Sequence, residues 1–362
     1  MSLWNFKSFK NYKICIECGF MKNVTLLYNI ITPTSGVGRH NYEVVNRLKK
    51  RIKFNEINLF SSFGNTNLTR LFSLIWKRKN YLYQQKDKLG EINHFLQTEI
   101  YYHVKGINVV TLHNSPPFKN AARLRNLIPD FNSLIRSILY VKRYEDAAEN
   151  ADILIANSQQ TKNGCLEMGV DEKRVEVINY GVDKRFKIIN GLDERENLIG
   201  FVGSFAFHKR VSKLLGDWKK NYRSFENKYS LKLYGSSGAF LKYLKNKYDN
   251  KYNVHFMGHL SYEHSLMTFN SFKALAFPSK FESFGLPIIE AVACGTPVFI
   301  YRDSEISDEV RKFAIEVGSM REIPEFLEKI KQRDLIKNSL KVKKDFDWDK
   351  NAEKTIKLYK RL

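Results

Sequence analysis

The sequence predicts an α/β protein built from two doubly wound, Rossmann-like domains. Three observations carry this reading. Short apolar runs with the length of buried parallel strands alternate with longer amphipathic runs of helical period. The alternation stops once, over the polar and charged residues 184–197, and then starts again. A length of 362 residues suits two domains. The expected divisions are an extension at 1–20, a first domain at 21–185, a second at 186–340 and a terminal segment at 341–362.

Residues 24–31 read as a buried first strand. The loop after it holds Gly36 and Gly38, which let a backbone approach a ligand closely; an ordinary strand-to-helix turn reads the same way. A helix with apolar Val44, Val45 and Leu48 follows, then a second strand at 54–60. Residues 67–90 form a basic, aromatic helix, with Leu71, Phe72, Trp76, Tyr81 and Tyr83 beside Arg70, Lys77, Arg78, Lys79, Lys86 and Lys88. Such a helix packs on a sheet with its lysines in water, or lies on an anionic membrane surface. Residues 92–96 and 109–112 read as further strands. His113 stands just past the second of them, where ligands of α/β sheets bind, although a lone histidine there is also an ordinary structural residue. A long helical region at 123–151 leads to a strand at 153–156. Asn157, Ser158 and Thr161 then supply N-cap chemistry, and residues 175–183 close the domain as strand and turn.

The second domain restarts with a strand at 198–202, followed by Gly203, Ser204 and the basic run His208-Lys209-Arg210. A lysine after a strand is by itself a solvated charge. Further strand-and-loop units fall at 231–238 and 254–261. Residues 322–335 read as one helix and 351–362 as the last.

The stretch FPSKFESFGLPIIEAVACGTPVFI, residues 277–300, organises the second half. It reads as strand, sharp loop, buried helix, turn and strand. Pro287 suits a first helical turn, and Gly295 suits the left-handed position that ends a helix. Glu282 and Glu290 stand eight apart, and Glu290 is placed in the apolar helix start. A carboxylate there is costly without a partner. It either complements the helix dipole or accepts two hydrogen bonds from a ligand diol such as a ribose. Backbone N–H groups around Gly285 and Leu286 form an anion site at the helix N-terminus.

This segment resembles the donor-site signature of retaining GT-B glycosyltransferases of family four, the group 1 glycosyl transferases. The family pattern PS-x-x-E-x-F-G-L-P-x-x-E-A-x-A-x-G-x-P-V stands here as PSKFESFGLPIIEAVACGTPV. The resemblance spans residues 21–362 and is strongest over 198–309. It implies a GT-B fold, two domains facing across a cleft, with the last helix returning to the first domain. It also implies transfer of a hexosyl group, with retention, from a nucleoside diphosphate sugar to a glycan, lipid-linked or other hydroxyl acceptor. In that scheme Glu290 holds the ribose hydroxyls. Glu282, Ser283 and the N–H groups of Phe284, Gly285 and Leu286 orient the sugar. Lys209 meets the diphosphate, Gly36, Gly38 and Gly203 lie against the donor, and His113 contacts the sugar. Three positions depart from the family pattern: Ser35 for a glycine, Asn114 for an aspartate and Ser204 for an arginine, with His208 or Arg210 expected to compensate for the last. The donor is a substrate, and neither a cofactor nor a metal is expected, since no DxD-type motif sits in a fitting place.

Composition bounds these expectations. Hydrophobic residues make up 43% of the chain, ample for two cores, and no run is long and apolar enough to span a bilayer. Residues 1–20 lack a signal-peptide core and are expected to be an extension, or Met21 the natural start. Cys15 and Cys18 form a lone CxxC, and with Cys165 and Cys294 they do not make a disulfide framework. A cytoplasmic location is expected, with docking at the inner face of the membrane through residues 67–90. The net charge of +22 is spread over both halves and draws anionic partners without choosing among them. Two alternatives stay open: a catalytically silent GT-B scaffold, and a basic nucleic-acid-binding protein, though no reader motif is present.

Overall fold

The computed structural model describes residues 22–29, 31–33, 35–59, 68–114, 131–222, 228–236 and 240–362. The Cys15–Cys18 pair, the extension at 1–20 and the first part of the expected 123–151 helix lie outside these residues.

The first sheet contains β1 (Val24–Tyr28), β2 (Asn55–Asn58), β3 (Ile92–Phe95), β4 (Ile107–Leu112), β5 (Ile153–Ala156) and β6 (Val175–Val177), in the order β2-β1-β3-β4-β5-β6. All its pairings are parallel. Helices α1 (Gly36–Lys49), α2 (Leu68–Gln84), α3 (Phe131–Asn150) and α4 (Gln159–Glu167) connect the strands. β1, β3 and β5 are buried along their whole length, as strands covered by helices on both faces must be. The edge strand β2 is shorter than the expected 54–60, and only Ile57 in it is buried.

The second sheet takes β7 (Leu198–Val202), β8 (Ser230–Tyr234), β9 (Val254–Gly258), β10 (Ala274–Ala276), β12 (Val298–Tyr301) and β14 (Ile315–Val317), in the order β14-β12-β10-β7-β8-β9, again all parallel. A two-stranded ribbon, β11 (Phe281–Glu282) with β13 (Glu305–Ile306), stands apart. The helices are α5 (Val211–Asn221), α6 (Leu241–Tyr248), α7 (Tyr262–Ser271), α8 (Leu286–Ala293), α9 (Asp308–Arg311), α10 (Ile323–Lys329), α11 (Gln332–Asp345) and α12 (Trp348–Arg361). The single helix expected at 322–335 is two. The chain turns extended at Ile330 and Lys331, with no glycine or proline to announce it. The break re-aims α11 onto α8, where Ser339 Oγ donates to the Ala293 carbonyl at 2.6 Å.

In each sheet the strand order reverses once, between β1 and β3 and between β7 and β10. Loops leaving the carboxyl ends of such a pair diverge and open a crevice. The segment between the domains is packed rather than loose. Phe186 is fully buried, and buried Arg195 donates to the carbonyls of Phe272 (3.1 Å) and Cys294 (2.6 Å) and to Thr296 Oγ1 (2.6 Å). The last helix, α12, lies against the first domain. Asp349 there binds Arg51 (2.8 Å) and Lys184 (2.6 Å), and Asn351 donates to the Asn179 carbonyl at 2.8 Å. One core cluster runs through both domains, by way of Tyr180, Phe284, Phe346 and Trp348.

Candidate active site

The second-domain half of the site is built on the β7/β10 reversal. The Gly203 N–H donates to the Tyr234 carbonyl at 3.0 Å, so the residue continues the β7–β8 ladder. The chain then makes a short turn over Phe207–Lys209 and passes through Arg210 at φ 48°, ψ 32°. A left-handed backbone is costly for a residue with a Cβ, and here the guanidinium is tightly held. Its Nε donates to the Pro278 carbonyl (2.8 Å), Nη1 to both Asp303 oxygens (2.9 and 2.7 Å), and Nη2 to Ser304 Oγ (2.9 Å) and the Ser279 carbonyl (3.3 Å). Against the opposing effect of burial, Arg210, with Lys213 and Lys280, holds the Asp303 carboxyl below its usual range. This corrects the expectation for Arg210. Its donors are all engaged by protein, and it staples the loops that follow β7, β10 and β12 instead of meeting a donor.

That staple sets Lys209 opposite Glu282. The two side chains form an ion pair and are only 16% and 14% exposed. The Lys209 ammonium also lies 5.6 Å from the Phe277 ring centroid. His208 beside it is held below the usual imidazole range by burial and by Lys209, so a neutral ring, not a second cation, stands at that position.

Helix α8 begins from Gly285, whose φ of +94° favours glycine. Its first internal bond runs from the Ile288 N–H to the Gly285 carbonyl at 3.0 Å. The N–H groups of Gly285 and Leu286 come before that bond, at the positive end of the helix dipole. Pro287, within the first turn, loses no bond there. Glu290 lies one turn further in than the sequence suggested. Burial pushes its carboxyl above the usual range, and Arg39 pulls it back. Gly295 ends the helix at φ +68°.

The first domain faces this helix with the start of α1. Ser35, where the family has glycine, is the N-cap, and its Oγ accepts from the Gly38 N–H at 3.1 Å. At Gly36 a Cβ would lie 3.9 Å from Leu286 Cδ1, so the starts of α1 and α8 meet across the cleft. One turn on, Arg39 donates to Glu290 Oε1. Ser283 is a second bridge: its Oγ donates to the His113 carbonyl at 2.6 Å and accepts from Asn157 Nδ2 at 3.1 Å. Phe284 is 1% exposed and packs between Tyr180 and Phe346, with centroids at 5.0 and 5.4 Å. Its ring belongs to the core, which leaves its backbone for a ligand.

His113 departs from expectation. Its Nε2 donates to the Leu96 carbonyl at 2.6 Å, so Nδ1 is the acceptor and takes the Tyr180 hydroxyl. Burial lowers it to about 4. Both nitrogens are turned into the domain, and its carbonyl is what faces the cleft. His113 therefore braces the loop after β4 and offers no side-chain atom to a sugar. Asn114 Nδ2 donates to the Tyr140 hydroxyl at 2.9 Å. Of the expected residues, the structure gathers Lys209, Glu282, Ser283, Gly285, Leu286, Glu290, Gly36 and Gly38 at one cleft. It withdraws the side chains of His113, Arg210 and Phe284.

The sequence reading missed Arg39, Asn157 and Tyr262. Tyr262 follows the N-cap of α7, and its single hydroxyl proton is shared between Asp183 Oδ2 (2.8 Å) and Glu43 Oε1 (3.1 Å). An arginine straight after Gly38, one turn into a helix beside the cleft, was a signal for Arg39. Nothing local marked Tyr262. Among the described residues no group of three His, Cys, Asp or Glu side chains is placed to hold a metal ion.

Two doubly wound parallel sheets facing across a cleft, with a buried carboxylate and a helix start on one side, are the GT-B arrangement. HepE of Anabaena, solved with UDP and glucose, shares this fold at a TM-score of 0.65 and 14% identity, over 94% of this chain and 100% of HepE. Residues 182–358 match the family model described as glycosyl transferases group 1. That match takes in the second domain and most of α12, just under half of the chain. It is 21% identical to an uncharacterized glycosyltransferase of Methanocaldococcus jannaschii, covering 74% of this chain and 73% of that one. It is 28% identical to D-inositol 3-phosphate glycosyltransferase of a Mycobacterium species, covering 52% of this chain and 45% of that protein. The chain thus spans less than half the length of the latter.

Proposed function

We propose that this glycosyltransferase moves a hexosyl group, with retention, from a nucleoside diphosphate sugar to a hydroxyl of a glycan or lipid-linked acceptor. The observation that carries the reading is the convergence of Lys209, Glu282, Glu290 and the start of α8 at the β7/β10 reversal. Glu290 accepts from the donor ribose. Its Oε1 is held by Arg39, and Oε2 has no hydrogen-bond partner among the described residues. Glu282 and the N–H groups of Gly285 and Leu286 orient the sugar. Lys209 and the helix dipole stabilise the departing diphosphate, because fixed positive charge in a site screened from water lowers the cost of the negative charge that develops. In this scheme the lysine and the helix start do what a divalent cation does elsewhere, so EDTA leaves turnover unchanged. HepE, with its bound UDP, supports a nucleotide-sugar donor.

A thermal-shift screen against UDP-, GDP-, ADP- and dTDP-sugars tests the donor class, since a ligand that binds only the folded chain raises its melting temperature. Glu290→Ala is expected to lose both the shift and the transfer while keeping the fold. A Glu290→Ala variant with full activity would sink the assignment.

The exposed part of α2 supports docking on an anionic membrane. Trp76 and Tyr83, one heptad apart, are 66% and 73% exposed, and Lys77 and Lys79 are exposed beside them. Arg78 does not share that face. It is buried and donates Nε to the Leu59 carbonyl at 3.1 Å. Among the described residues no helix is long and apolar enough to cross a membrane. Sedimentation with vesicles containing anionic lipid should weaken on replacing Trp76, Lys77 and Lys79 with serine; unchanged sedimentation removes this part of the reading.

A further inference from the structure

We infer that Arg39 is a positioning residue for donor recognition: it reaches from the first domain to orient the Glu290 carboxylate, so that ribose recognition exists only when the two domains are together. The inference rests on Glu290 being the ribose acceptor.

Arg39 is itself firmly placed. It leaves α1 one turn after the Ser35 cap, and its Nη2 donates to the Pro33 carbonyl at 3.3 Å. Its guanidinium carbon lies 3.4 Å from the Tyr262 ring centroid, and that of Arg185 lies 3.3 Å from the same centroid. Two guanidinium groups so close to one centroid cannot share a face, so the ring stands between them. Stacking of this kind suits arginine and not lysine. The Tyr262 hydroxyl is tied to Asp183 and to Glu43, and Arg185 Nη2 donates to the Tyr262 carbonyl at 2.7 Å. Tyr262 belongs to the second domain, Glu43, Arg39 and Asp183 to the first, and Arg185 to the segment joining them. The sandwich therefore exists only with the domains docked.

The consequence for Glu290 is chemical. An ionised carboxylate accepts hydrogen bonds on both oxygens, whereas a protonated one gives up part of that capacity. Burial favours the protonated form, and nearby Asp183 favours it further; Arg39 first and Arg185 second oppose them. Cys294, at the end of the same helix, also interacts electrostatically with Glu290; burial pushes it up to about 12, so it stays a neutral thiol. With Oε1 taken by Arg39, Oε2 is presented to a diol in one orientation. Removing Arg39 shifts the balance toward a neutral, less well oriented acid.

The test uses the full chain and calorimetric titration with UDP, GDP and ADP, each beside its 2′,3′-dideoxy analogue, from pH 5.5 to 8.5. Wild type is expected to favour one ribonucleotide over its dideoxy form by about tenfold or more, the worth of a charge-assisted hydrogen bond. Arg39→Ala should lose most of that discrimination while its affinity for the dideoxy form stays near wild type. Its remaining ribose preference should fail at a higher pH than in wild type, because a carboxyl freed from its counter-charge protonates earlier. Arg39→Lys should recover the pH profile in part, since it keeps the charge without the planar stack. If Arg39→Ala does not fold, Arg39→Gln reads the same quantities with a side chain of similar reach. A folded Arg39 variant with wild-type discrimination and pH profile overturns the inference. Glu290→Gln separates it from the reading beneath: if that variant, or wild type itself, shows no Glu290-dependent ribose preference, the donor-site assignment fails first.

Discussion

Lys209 and Glu282 form an ion pair at the point where the strand order of the second sheet reverses. One comes from the loop after β7 and the other from the ribbon after β10, and they are 73 positions apart in sequence. The pair sits beside the start of α8, so a cation and a helix dipole face one space. If Lys209 acts on the departing diphosphate, Lys209→Ala should lower kcat by about a hundredfold or more. Melting temperature should fall as well, because Glu282, only 14% exposed, is left without its counter-charge. Nucleoside diphosphate release measures the first quantity and differential scanning fluorimetry the second. Unchanged kcat would remove Lys209 from the chemistry.

Ser283 pins the donor-side loop to the first domain through the His113 carbonyl and Asn157. Ser283→Ala removes both bonds. Asn157 Nδ2 keeps its own 3.0 Å bond to the His113 carbonyl, so no buried donor is stranded. The expected loss is about 1 kcal/mol, read from urea denaturation with an unchanged slope. A loss above about 3 kcal/mol would mean that the pin holds up more of the interface than its hydrogen bonds show.

Three histidines are buried around Tyr180, Trp348 and Tyr359. Burial lowers His113 to about 4 and His94 to about 3, and holds His40 well below the usual imidazole range. Below the ordinary histidine pKa of about 6.5 the unfolded chain therefore binds more protons than the folded one. The sign follows: this contribution to stability is fully present above the unfolded value and drains as pH falls from there toward 4. Thermal melts from pH 7.5 to 4 should show a declining melting temperature, less steep in His94→Gln once its lower starting stability is subtracted. A flat profile would contradict the buried neutral state.

Two glycines should respond in opposite directions. A Cβ at Gly235 would lie 2.0 Å from the Gly203 carbonyl oxygen, where β8 ends against the loop after β7. Gly235→Ala is expected to cost several kcal/mol, on the order of 3, because backbone must move. A Cβ at Gly216, within α5, meets nothing within 4 Å. Gly216→Ala should stabilise by about 0.5–1 kcal/mol. Equal effects in chemical denaturation would contradict the packing described.

The donor half of the cleft was the most legible part. Residues 277–300 contain their own instructions: Pro287 and Gly295 mark a helix, and its apolar run marks burial. The family pattern adds meaning to Glu282 and Glu290. The acceptor-side half was less legible because its contacts are made by single residues in ordinary surroundings. His113 stood at the right end of the right strand, yet its ring points inward, since Leu96 and Tyr180 satisfy it there. Arg210 has the reach and charge for a diphosphate, but the carbonyls after β10 and the Asp303 carboxylate claim it. The break at Ile330 was invisible because no residue there forbids a helix; packing of α11 on α8 decides it.

What the sequence determined by itself is local. Apolar period, proline and glycine placement and N-cap residues act over a few positions, and they suffice to write two rounds of parallel α/β structure and the start of α8. What tertiary structure decided is which charge faces which. Arg39 and Glu290 are 251 positions apart, and neither residue's neighbours announce the other. Whether a buried carboxylate stands alone or paired, and whether a cleft-side histidine looks outward or inward, depends on desolvation and on partners that only the docked domains bring within hydrogen-bond reach.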